Sequence, residues 1–297
     1  MVIRIGPAGW SYVDWEGVVY PRKKPPGFHP LRYLAQYVDC IELNSSFYGT
    51  PRADYAAKWL EHVRDRPHFR FTAKLQDIFT HHSFRDSMRL REEADRFRAG
   101  LAPLREAGRL AGLLVQFPFS FRPTPGAKRR LEWIAETFLD HSLILEVRHK
   151  DWFEPGARDR IAGMGYNLAS IDLPDHKDHP PHTVEPTGPL GYLRLHGRNR
   201  AAWFDSAAGR DQRYDYLYGK EEVLRLAETA RRIAGGTEAV YVITNNHFSG
   251  KAVANVLELR SEIEGVAPRA PHELVLEYPR LKKVTRPDGG QSTLFDD

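Results

Sequence analysis

Glu42 and Asn44, Lys74, Gln116, Glu146 with Arg148 and His149, Asp172, Arg194 with His196 and Arg198, and Asn245 with Asn246 and His247 all stand where short apolar runs stop. The first such run passes into GPAGWSYVDW, which sets Trp10 beside Gly6 and Gly9. A charge at the end of a parallel strand is costly to bury unpaired, so these groups need partners or a wet cavity. Gathered at one mouth, they would provide both. Arginine forks, a lysine and asparagine amides together suit a phosphate or a carboxylate. Beside a bound anion, Glu146 or Glu42 could act as general base, with His196 or His149 as acid. The residues expected to carry chemistry are Glu146, His196, Asp172 and Lys74. Those expected to hold a ligand are Trp10, Glu42, Asn44, Gln116, Arg148, His149, Arg194, Arg198, Asn245 and Asn246.

A metal centre is the competing chemistry. Glu42, Glu146, Asp172 and His196 are hard or borderline ligands that could converge on a divalent ion. Lys74, Arg148, Arg194 and Arg198 crowd the same place, and the carboxylates do not clearly outnumber them, so an anion is favoured over a metal and no cofactor is assigned. A purely structural role competes as well. Glu146 with Arg148, or Glu42 with Lys74, could be buried ion pairs that hold the fold and do nothing else.

The runs that carry these residues are VIRIG (2–6), VDCIELN (38–44), FRFTAKL (69–75), GLLVQFP (112–118), SLILEVR (142–148), YNLASID (166–172), GYLRLHG (191–197) and AVYVITN (239–245). Between several of them lie segments with helical spacing: RADYAAKWLEHVRD, SMRLREEADRFRAGLAPLREAG, AKRRLEWIAETFL and KEEVLRLAETARRIAG. Eight strands alternating with helices predict a parallel α/β fold, a single (β/α)8 TIM barrel over 1–280, with an open doubly wound sheet as the alternative. Two long connections, LPDHKDHPPHTVEPTGP and RNRAAWFDSAAGRDQRYDYLYG, would then stand over the mouth. Trp10, Tyr12, Trp15, Phe47, Tyr48, Trp152 and Trp203 lie in or near the strand-end loops and could stack a base or a sugar, although core packing is their commoner use.

Composition sets wider bounds. With 41% hydrophobic and 28% charged residues and no apolar run of membrane-spanning length, the 297-residue chain is expected to be cytoplasmic, without a signal peptide or a membrane partner. A net charge of +4 permits a nucleic-acid partner without requiring one. Arginine supplies 32 of the 43 basic residues, a bias that suits phosphate forks. Cys40, the single cysteine, is expected to be a buried thiol.

Taken together, IGPAGWSYVDWEGVVYP, IELNSSFYGTP, FTAKLQDIFTHH, LLVQFPFSF, LEVRHKDW, LRLHGR and VITNNHFSGKAVANV resemble the YecE-like proteins over residues 3–280. The resemblance implies a TIM barrel and a site built from the strand ends, and it supplies no reaction. In that family the last motif commonly opens with an aromatic before its two asparagines. Here Ile243 and Thr244 precede Asn245 and Asn246, a change that concerns packing more than the site.

Residues 281–297 read as a flexible tail ending in GGQSTLFDD, in which Gln291, Leu294 and Phe295 resemble the peptides that bacterial replication and repair proteins insert into the DNA sliding clamp. The function expected from all of this is binding of, or action on, a phosphate-containing ligand, nucleic acid or nucleotide, with recruitment through the clamp. A phosphodiester or phosphate-ester hydrolase fits that expectation. The alternatives are a non-catalytic DNA or clamp accessory protein, and a sugar-phosphate isomerase or hydrolase.

Overall fold

The computed structural model describes residues 2–84 and 87–287. Eight parallel strands form its centre: β1 (Val2–Pro7), β2 (Cys40–Leu43), β3 (Arg70–Lys74), β4 (Leu110–Gln116), β5 (Leu143–Glu146), β6 (Tyr166–Leu168 and Ser170–Asp172), β7 (Leu190–Leu195) and β8 (Ala239–Thr244). Seven of the intervals that follow these strands contain a helix: α1 (Pro30–Leu34), α2 (Ala53–His62), α3 (Ser87–Glu106), α4 (Pro125–Thr137), α5 (Ala157–Gly163), α6 (Lys220–Ala234) and α7 (Lys251–Glu264). The connection from β6 to β7, residues 173–189, contains none.

The ring closes at two unequal joints. Strands β2 to β6 pair in sequence order, and the order β1, β8, β7, β6 makes the remaining arc. The sixth strand belongs to both arcs. Its first half pairs with β5 and its second with β7, and at the changeover the Ala169 amide donates to the Leu145 carbonyl at 2.9 Å. The other joint, between β1 and β2, has a single bridge, Ala8 to Glu42, with Asp39 N donating to Ile5 O and Gly9 N to Glu42 O. There the backbones approach so closely that a Cβ on Gly6 would lie 1.7 Å from the Cys40 carbonyl oxygen.

Alternation along the strands sorts side chains into two sets. Ala8, Cys40, Leu114, Ile144, Ala169, Ile171, Tyr192, Tyr241 and Ile243 pack together inside the barrel. The opposite set meets the helices. In α6 the buried residues Val223, Leu226, Ala227, Ala230 and Ile233 follow the three-four spacing of one helical face, and Glu222 caps its start by accepting from Gly219 N at 2.8 Å. Thr124 does the same for α4, with Pro125 at its first turn.

The boundary at 280 needs correction. Pro279–Lys283 forms a 3-10 turn with Leu281 fully buried, and Arg286–Pro287 pairs with Arg269–Ala270, so the chain stays on the barrel for seven residues into the segment assigned to the tail. One buried leucine and a short strand pair outweigh the basic, Pro-containing composition. Gln291, Leu294 and Phe295 lie outside the described residues.

Candidate functional site

The C-terminal ends of the strands surround a cavity of about 500 Å³. Its cationic and amide groups are Lys74, Arg148, Arg194, Asn44, Gln116 and Asn245. Trp10, Tyr12, Phe47, Tyr48, Phe119 and Tyr214 form aromatic walls around them. Every one of these residues lies at or after the end of a barrel strand, where this architecture builds its sites.

Beneath the cavity lies a buried network from four strands. Arg194 of β7 is 2% exposed and spans the interior. Its Nε and Nη2 donate to the two oxygens of Glu42 on β2, at 3.0 and 2.6 Å, and its Nη1 donates to Glu146 Oε2 on β5 at 2.9 Å. The Tyr192 hydroxyl donates to Glu42 Oε2 at 2.7 Å and lies 3.0 Å from Thr72 Oγ1 of β3. Arg148 donates to Glu146 Oε1 at 2.9 Å. Each carboxylate therefore has charged donors on its oxygens, which is the condition under which buried ions can be held. Burial pushes the Glu146 carboxyl up, but Arg194 and Arg148 outweigh it and hold the group well below the usual range.

His196, also fully buried, stands 3.4 Å from Glu146 Oε1 through Nε2, while its Nδ1 lies 3.0 Å from the Asn245 amide nitrogen. With Asn245 donating, Nδ1 accepts and Nε2 carries the proton toward Glu146. Burial drives the imidazole pKa down to about 3 against the pull of Glu146, so it is neutral at pH 7. The unfolded chain consequently takes up this proton first as pH falls below about 6.5, and native stability drops between there and pH 3. Between pH 7 and pH 5 this histidine alone is expected to cost about 2 kcal/mol. Urea denaturation of His196→Gln should show a pH 7-to-5 difference smaller by that amount; an unchanged difference would place the titration elsewhere.

Lys74 differs from the other cations. Among the described residues no carboxylate lies within ion-pair distance of its amine, which sits 3.6 Å above the Phe47 ring centroid. Burial, then Arg194 and Arg148, lower its pKa to about 7, against the weaker attraction of Glu146 and Glu42. That lowering corresponds to about 5 kcal/mol.

Several residues expected at the site are elsewhere. Glu42, Glu146 and His196 are fully buried below the residues that line the cavity, where the two carboxylates are bonded to Arg194 and Arg148. Asp172 faces the helices: its carboxylate accepts from Arg198 Nε at 2.9 Å and from the Tyr218 hydroxyl at 2.8 Å, which removes both Asp172 and Arg198 from the cavity. His149 caps a turn by accepting from Asp151 N and sits behind Phe119. Asn246 donates to the Tyr216 carbonyl and to Asn255 of α7. The expected Glu42–Lys74 pair is replaced by Glu42 with Arg194. In addition, Ser11, Ser45, His81, Phe119 and Tyr214 line the cavity without having been singled out. Phe119 and Tyr214 lie past their strands in loops, where period-two patterning says nothing. Among the described residues no group of three or more His, Cys, Asp or Glu side chains is arranged to hold a metal ion, and no helix is long and apolar enough to cross a membrane.

A closed parallel barrel with a polar cavity at the carboxyl ends of its strands defines a TIM-barrel-like protein. The chain belongs to the family described as "Protein of unknown function DUF72", which matches residues 4–274. It is 28% identical over 283 residues to the UPF0759 protein YunF of Bacillus subtilis, an alignment that covers 90% of this chain and 98% of that protein. To the UPF0759 protein YecE of Escherichia coli it is 24% identical over 188 residues, 62% of each chain. The crystal structure of a DUF72 family protein from Thermotoga maritima superposes with a TM-score of 0.75 at 28% identity, covering 89% of this chain and 100% of that one. A second family structure, from Enterococcus faecalis, superposes at 0.77 with 24% identity, covering 89% and 96% of the two chains, and supports the fold alone.

Proposed function

We propose that the barrel mouth binds a small phosphate-bearing ligand of nucleotide size, with its ring against the aromatic walls and its phosphate at Lys74 and Arg148. The observation that carries this reading is the cation left over at the cavity floor. Glu42 and Glu146 are consumed by Arg194 and Arg148, and Lys74 faces the cavity with no carboxylate of its own among the described residues. An amine so placed, its charged form disfavoured by burial and by Arg194 and Arg148, gains from a bound anion the counter-charge it lacks. The cavity volume falls within the range of small-ligand pockets and is too confined for a duplex, which favours a nucleotide or a sugar phosphate over a nucleic-acid surface.

Calorimetric titration with AMP, adenosine and inorganic phosphate tests the reading. AMP is expected to bind at least tenfold more tightly than adenosine, and Lys74→Met should erase that preference without lowering the melting temperature, because no buried carboxylate loses a partner. Equal affinity for AMP and adenosine would overturn the proposal.

A further inference from the structure

Lys74 is more than a point charge. It is the last residue of β3, with its side chain against the Phe47 ring and its amine at the cavity surface. Burial, then Arg194 and Arg148, disfavour the charged form, and among the described residues no carboxylate lies within ion-pair distance to support it. An amine on an apolar base beside other cations is the environment that turns a lysine into a nucleophile. The amides of Asn44 and Gln116 face the same space and could orient a carbonyl oxygen.

We propose that Lys74 forms an imine with an aldehyde or ketone that carries a phosphate group. This rests on the anion-binding reading above, in that Arg148 would hold the phosphate while Lys74 meets the carbonyl. The neutral Nζ adds through its lone pair to the carbonyl carbon, the carbon–oxygen π bond breaks, and a proton passes from nitrogen to oxygen to give a carbinolamine. Loss of that hydroxyl as water, with the second nitrogen proton, leaves the carbon–nitrogen double bond. No oxidant or reductant enters the step. A lysine engaged in this way can withdraw electrons from the carbon next to the imine, so the reaction class it would serve is carbon–carbon cleavage or proton transfer beside a carbonyl.

Pyridoxal 5′-phosphate, which joins an aldehyde and a phosphate on a planar ring, is the probe. The full chain is incubated with it at a series of pH values, reduced with borohydride, and mapped by mass spectrometry, with pyridoxal as the comparison lacking phosphate. Lys74 is expected to be the main adduct, its labelling rate levelling off just above pH 7 while surface lysines keep gaining through pH 9. Lys74→Arg should lose the adduct, because a guanidinium has no free amine lone pair to add to the carbonyl. If AMP binds and Lys74 stays unlabelled, or its rate follows the surface lysines, the imine proposal fails and the binding reading stands. If Lys74 is labelled with the expected pH profile but AMP does not bind, the binding reading fails, and equal labelling by pyridoxal removes the phosphate from the proposal.

Discussion

Replacing Arg194 with methionine is expected to lower the melting temperature by roughly 5–8 °C, taking about 3–5 kcal/mol for a broken buried ion network and about 1.6 °C per kcal/mol at this chain length. Among the described residues the guanidinium is the one group that touches both Glu42 and Glu146. Without it, among the described residues, Glu42 keeps only the Tyr192 hydroxyl, while Glu146 keeps Arg148. The loss should therefore fall mainly on Glu42, and adding Glu42→Gln to Arg194→Met should restore a large part of the stability. The penalty should also shrink in acid. Without Arg194 the Glu146 carboxyl, held well below the usual range in the native protein, takes up its proton at a higher pH, so part of its desolvation cost disappears as pH falls toward 4.5. Scanning calorimetry of the single and double variants at pH 7 and 4.5 checks each step. A shift of only two or three degrees for Arg194→Met at pH 7 would mean that the network contributes little to holding the barrel.

Gly6→Ala should be of similar severity for a different reason. The added methyl would sit 1.7 Å from the Cys40 carbonyl oxygen and 2.7 Å from its carbon, so it is backbone that must yield, with no flexible side chain to swing away. Overpacking in a core usually costs about 1–3 kcal/mol, and a clash with backbone belongs at or above the top of that range. Gly163→Ala provides the contrast. Nothing stands within 4 Å of its Cβ position at the end of α5, so alanine should be neutral or stabilise by about 0.5 kcal/mol. Parallel urea denaturation of the two variants separates a close approach at the barrel joint from a general intolerance of substitution; equal midpoints would contradict the geometry at Gly6.

Much of this was legible in the sequence, and the part that was not has a simple physical origin. All eight strands were visible as apolar runs, because strands covered on both faces read as continuous hydrophobic stretches. The polar residues at their ends were visible for the same reason, as interruptions. What went unread was direction. Glu42, Lys74, Gln116, Glu146, Arg194, His196 and Asn245 share the parity that points into the barrel, whereas His149, Asp172 and Asn246 each sit one residue out of step with an inward neighbour and turn to the helices. The parity was available from Ile144, Glu146 and Arg148 or from Tyr192, Arg194 and His196 taken as alternating sets. Arg198 escapes the rule because the chain turns at Gly197, with φ 87°, before it reaches Asp172. The split of β6 at Ala169 was not legible, since changing partners between β5 and β7 leaves no mark on composition.

The unequal joints of the barrel bear on how the chain acquires its shape during synthesis. Strands β2 to β6 find their neighbours within a few tens of residues, so that arc can assemble from nearly local contacts. Strand β1 is made first, yet it has only one bridge to β2 and pairs along its whole length with β8, Val2 opposite Ala239 through Pro7 opposite Thr244. Its principal partner does not exist until more than 230 residues have followed it. On the ribosome the opening strand must wait as an unpaired edge, exposed to non-native pairing, until the last barrel strand emerges to complete the ring. Moving β1 to follow β8 by circular permutation would make that closure local, and refolding should accelerate without any change in the native contacts.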